Sequence, residues 1–110
     1  MSDSGPTRWV AIGRIVDLRF APGAAVTVDG REIAVFPLPG GAGFCALDNS
    51  CPHAGGALAE GHLDGGEVSC PWHGWRFDLA TGTCKTIAED STRAYRVREV
   101  DGVLEVELPA

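Results

Sequence analysis

Two short stretches gather most of the residues able to do chemistry, CPHAGG at 51–56 and CPWHGW at 70–75. Each opens on Cys-Pro and each holds one histidine. Cys51 and His53 form a C-x-H pair, residues 54–69 intervene, and Cys70 and His73 form a C-x-x-H pair. Thiolate and imidazole suit zinc, copper or iron–sulfur chemistry, so residue type alone leaves the metal open. Spacing narrows the choice. A zinc finger pairs its cysteines with each other and its histidines on a helix. Here each loop supplies one cysteine and one histidine, and no helix is predicted at either histidine. A binuclear cluster accommodates this pattern, with each loop placing its cysteine on one iron and its histidine on the other. A zinc-stabilised interaction module stays open as an alternative, and it would be colourless, redox-silent and unfolded by chelator.

These loops need a rigid frame. AAVTVDGREIAVF sets Asp29-Gly30 between two strand-like runs, and VREVDGVLEVEL does the same with Asp101-Gly102. Asp-Gly supplies the positive backbone angles of a two-residue hairpin turn. Leu104, Val106 and Leu108 alternate with Glu105 and Glu107, a half-buried strand, and Tyr95 and Val97 alternate with Arg96 and Arg98 on the partner strand. GFCALD, residues 43–48, predicts a strand leading into the first loop. From 49 to 83 the chain turns rich in Gly, Pro, Cys and His, with brief strand pieces at 67–69 and 76–78. AGGALAEGHL comes nearest to a helical stripe, and its glycines count against a helix. The reading is an all-β chain of one domain, residues 1–110. A β framework, 7–48 and 84–108, carries an inserted cluster-binding lobe at about 49–83.

Composition bounds the function. A chain of 110 residues can bury a core of its own. A net charge of −6 opposes phosphate binding and argues against a nucleic-acid partner. A protein partner with a basic patch fits better. The start, MSDSGPTRWVAIG, lacks a basic region followed by an apolar run, and no run of about 18 apolar residues could span a bilayer. The expected compartment is the cytoplasm, where four cysteines read as ligands or free thiols rather than as a disulfide framework. Cys45 and Cys84 are expected to be free, partly buried thiols, and His62 an ordinary polar residue.

The pair CPHAGG and CPWHGW resembles the two-loop signature of Rieske iron–sulfur proteins, specifically the small Rieske ferredoxins. The likeness runs from about Trp9 to Leu108 and takes in the GFCALDNSCPH entry and the WRFDLATG exit. It implies stacked antiparallel sheets with a cluster lobe at one tip and one [2Fe–2S] cluster. Cys51 and Cys70 would then hold the inner iron, and His53 and His73 the outer iron near the surface. It also implies a soluble carrier taking one electron from a flavin-dependent reductase to a terminal oxygenase of the ring-hydroxylating kind. The second reading is the small subunit of an assimilatory nitrite reductase, which TGTCKT and the YRVREVDGVLEVEL ending also resemble.

Departures from the respiratory Rieske proteins matter. Gly56 and Trp72 stand where those carry a second pair of cysteines, so their loop disulfide is excluded. Trp75 and Phe77 stand where those carry hydroxyls near the cluster. Hydrogen bonds to sulfur stabilise the reduced state, and two such donors are missing here. The expected potential is therefore at the low end of roughly −150 to +300 mV. Trp72 and Trp75 are open to three readings: shields that keep water off the irons, core aromatics, or, for Trp72, a partner contact. Gly55, Gly56 and Gly74 are expected to let backbone amides approach the sulfides, or else simply to serve turns.

Overall fold

The computed structural model describes residues 6–20, 23–38, 43–49, 57–71, 74–85 and 91–109. Among them the strands are β1 (Thr7–Arg14), β2 (Ala24–Val28), β3 (Arg31–Pro37), β4 (Phe44–Asp48) and β5 (His62–Asp64). There follow β6 (Glu67–Ser69), β7 (Arg76–Asp78), β8 (Ala94–Tyr95), β9 (Val97–Val100) and β10 (Val103–Pro109). They form three antiparallel sheets, ordered β1-β10-β9, β2-β3-β4-β8 and β5-β6-β7. The fold class is all-β, as expected.

Both Asp-Gly turns adopt the predicted geometry. Asp29 and Gly30 have φ of 52° and 77°, Asp101 and Gly102 have 51° and 81°. Positive φ at both centres matches the right-handed twist of the flanking strands. Val28 then pairs with Arg31, and Val100 with Val103.

The β2-β3-β4-β8 sheet is the middle layer, and its composition shows why. Side chains alternate faces along a strand. On one face Ile33, Val35 and Ala46 join Leu104, Val106 and Leu108 of β10 in the framework core. On the other face Ala34, Phe36, Cys45 and Leu47 meet Leu58, Val68, Cys70, Phe77, Leu79 and Cys84 of the lobe. Buried on both faces, β3 carries the unbroken apolar run IAVF instead of an alternation.

Three local features differ from the sequence reading. AGGALAEGHL yields a 3₁₀ turn at Leu58–Glu60 and then β5, a strand the composition did not reveal. Tyr95 belongs to the middle sheet opposite Ala46, not to the β9 strand, so the chain changes sheets at Arg96. The Tyr95 hydroxyl donates to Asp48 Oδ1 and accepts from Arg31, which anchors the ring over the middle layer. Cys45 and Cys84, expected partly buried, are 8% and 2% exposed. No disulfide links them to each other or to Cys70.

Candidate cluster site

The second loop grows from the β6–β7 hairpin. Val68 opposite Phe77 and Ser69 opposite Arg76 carry the pairing up to Cys70. The Cys70 amide donates to Trp75 O at 2.7 Å, and the Gly74 amide donates to Cys70 O at 2.9 Å. Gly74 has φ of 72°, so a left-handed turn closes the loop where a side chain would add strain. Gly74 therefore serves the turn, and its N–H points to a carbonyl. Cys70 is 2% exposed at the foot of this loop.

The first loop leaves β4 after Asp48 and returns at the 3₁₀ turn, where Leu58 N donates to Asn49 O at 2.6 Å. The two loop bases adjoin. His62 pairs with Ser69, and a Cβ at Gly61 would run into the Ser69 carbonyl oxygen. The exit of the first loop thus lies along the entry of the second. Of the predicted ligands, Cys70 is placed at this junction; Cys51, His53 and His73 lie outside the described residues, as do Gly55, Gly56 and Trp72.

Below the junction the WRFDLATG segment forms a tight turn. Asp78 Oδ1 accepts from the amides of Ala80 at 2.8 Å and Thr81 at 3.1 Å. These bonds hold the Asp78 carboxyl below its ordinary range. Glu67 meets Arg76 at 2.9 Å and Lys85 at 3.8 Å, tying β6, β7 and the segment after them. Trp75 is partly buried against the lobe core, which favours the core-aromatic reading for it. His62 is exposed on β5, an ordinary polar residue as expected.

Burial pushes the Cys45 thiol up to about 12, with its sulfur 3.8 Å from the Phe36 carbonyl as a donor. Its sulfur is thus engaged inside the lobe core, which suits Cys45 to packing. Asp78 and Asn49 were not singled out from the sequence. The D-x-x-x-G-T pattern signals the Asp78 turn, whereas nothing around Asn49 marks it.

Comparison with known proteins decides the family. The Rieske [2Fe–2S] domain matches residues 8–101. The chain belongs to the Rieske [2Fe–2S] family. It is 33% identical over 108 residues to the anthranilate 1,2-dioxygenase ferredoxin subunit of Burkholderia cepacia, covering 96% of this chain and 97% of that one. Among solved structures, the ferredoxin of carbazole 1,9a-dioxygenase from Nocardioides aromaticivorans IC177 superposes with a TM-score of 0.78 at 30% identity, over 93% and 98% of the two chains. A Mycobacterium tuberculosis protein assigned as an NADH-dependent nitrite reductase small subunit gives 0.83 at 26% identity, over 96% and 98%.

The cofactor of this Rieske domain is one [2Fe–2S] cluster. The described part of the site fits it. A buried cysteine stands at the foot of one loop, next to Ser69, whose carbonyl meets Gly61 at the exit of the other.

Proposed function

We propose that this chain is a soluble one-electron carrier, itself not a catalyst, that passes electrons from a flavin-dependent reductase to a ring-hydroxylating oxygenase. The observation that carries the reading is the near end-to-end alignment with a dioxygenase ferredoxin subunit, 96% of one chain on 97% of the other. The whole chain acts as one Rieske domain, with the lobe at about 49–83 inserted in the framework. Cys51 and Cys70 hold the inner iron, and His53 and His73 the outer one. Bound there, the cluster supplies a single-electron couple. The chain's part is to seat it: Cys70 on a buried base, Trp75 and Phe77 in and against the lobe core beneath. Among the described residues no helix is long and apolar enough to cross a membrane. The cytoplasm is the proposed compartment.

Electron paramagnetic resonance on the protein as isolated and after dithionite tests this. A rhombic signal in the reduced state, with average g below that of all-cysteine clusters, is the expected result. A colourless, silent protein with stoichiometric zinc would refute it. The expected midpoint lies at the low end of roughly −150 to +300 mV, and a value well above about +100 mV would contradict the missing-hydroxyl reasoning.

The superposition on the nitrite reductase subunit favours a second reading, in which this chain is such a small subunit. Affinity purification under native conditions separates the two. A large sirohaem-containing subunit coming down with the chain would select the second.

A further inference from the structure

Asn49 is 2% exposed and is the sole buried amide or charged side chain among the described residues. Its groups are fully engaged across the mouth of the first loop. The backbone carbonyl accepts from Leu58 N at 2.6 Å, and the side-chain Oδ1 accepts from Ala59 N at 2.7 Å. On the other side Nδ2 donates to Glu32 Oε1 at 2.9 Å, and the Asn49 amide donates to Glu32 O at 3.0 Å. Residues 50–57 thus leave and return through one residue that is fastened to β3. We infer that Asn49, oriented by Glu32, is the positioning residue of the first cluster loop, fixing the backbone two residues ahead of Cys51. The inference rests on the proposed ligand set.

The chemistry requires an amide at this site. Fixing both ends of a loop removes freedom that would otherwise oppose holding its ligands in place. One oxygen faces a donor, the Ala59 N–H, and one nitrogen faces an acceptor, the Glu32 carboxylate. Only Asn presents both from so short a stem. Alanine leaves a buried N–H without its partner. Aspartate could still accept from Ala59, but it sets a second carboxylate against Glu32, and the repulsion pulls the side chain away from the Ala59 amide. Reversing the polarity of the pair, with Asp at 49 and Gln at 32, restores both bonds.

The test compares wild type, Asn49→Ala, Asn49→Asp, Glu32→Gln and the double variant Asn49→Asp/Glu32→Gln, each as the cluster-loaded protein. Three readouts are taken: the rate of visible-absorbance loss with excess chelator, hydrogen exchange of the 58–60 amides, and exchange of the β10 amides as a control. Asn49→Ala and Asn49→Asp should lose the cluster about tenfold faster and expose the Ala59 amide by a similar factor, with β10 unchanged. Glu32→Gln should stay near wild type, and the double variant should return to within about threefold of it. Wild-type rates in both single variants at position 49, or a double variant no better than Asn49→Asp, would overturn the inference. If Asn49→Ala fails to fold, the comparison of Asn49→Asp with the double variant decides alone. A wild type without the Rieske signal would defeat the ligand assignment instead, and Ala59 exchange would then decide whether the clamp holds.

Discussion

The framework and the lobe are both three-stranded or larger β structures, yet they are held by different means. In the framework, β10 runs seven residues and inserts Leu104, Val106 and Leu108 into one core. Long strands, alternation and two Asp-Gly turns suffice there. In the lobe, β5, β6 and β7 have three residues each, and a single row, Leu63, Val68 and Phe77, faces inward. Strands so short cannot carry a sheet by themselves. Their place is taken by hydrogen bonds at the ends of loops and turns: Asn49 to Ala59, Asp78 to Ala80, Ser91 to Cys84. The contrast predicts a framework that keeps its order without metal and a lobe whose order follows what it binds.

The sharpest way to break this contrast is Cys70→Ala. The cluster should be lost completely, as judged by iron content and the absence of the reduced-state signal. Hydrogen exchange should rise throughout β5–β7 while β9 and β10 keep most of their protection. Equal loss of protection in both regions would show that the two fold as one unit.

Next in size are two core truncations. Phe77→Ala and Leu104→Ala each remove a side chain with no exposed surface, and each should cost about 2–5 kcal/mol in denaturant unfolding. Their second readouts should part company. Phe77→Ala should hasten cluster loss and shift the spectrum, because Phe77 packs in the core that includes Cys70. Leu104→Ala should leave the g values unchanged. A smaller effect, about 1–3 kcal/mol, is expected for Gly61→Ala, whose new methyl would press on the Ser69 carbonyl between the two loop bases. Cluster retention should again fall, in step with the lobe and not with the framework.

The same contrast governs what was legible from residues alone. The hairpins at Asp29-Gly30 and Asp101-Gly102, and the strands at 44–48, 67–69 and 76–78, follow from local turn chemistry and alternation. Cys70 stood out because its spacing to His73 is chemically specific. Tyr95 escaped because its alternation with Val97 fits one strand, whereas pairing with the distant β4, together with its bonds to Asp48 and Arg31, places it in another sheet. Asn49 escaped for a similar reason, since its partners at 32, 58 and 59 are set by tertiary packing. Local pattern reveals elements, whereas the bonds that tie elements into a site are non-local.

The smallest expected effect concerns alkaline pH and again separates the two cores. Cys45 lies in the lobe core and Tyr95 in the framework core. Burial raises the Cys45 thiol from 9.0 to about 12. Tyr95 is also raised from its ordinary 10.0, by burial and then by its bond to Asp48. Both groups stay protonated in the folded chain while the unfolded chain ionises, so folding binds the extra proton and stability falls as pH rises. The Cys45 contribution is intact below pH 9 and is lost progressively as pH rises from 9 to about 12. Tyr95 adds a loss only above 10. Asp78, partly buried, acts in the opposite sense on the acid side: its contribution is present above its ordinary range and is lost as pH falls through the lowered one. Urea unfolding at pH 8, 9 and 10 should therefore show wild type weakening more steeply than Cys45→Ala above pH 9, whatever the offset between them at pH 8. Parallel curves would mean that the Cys45 thiol ionises in place, and that the lobe core admits water the framework core excludes.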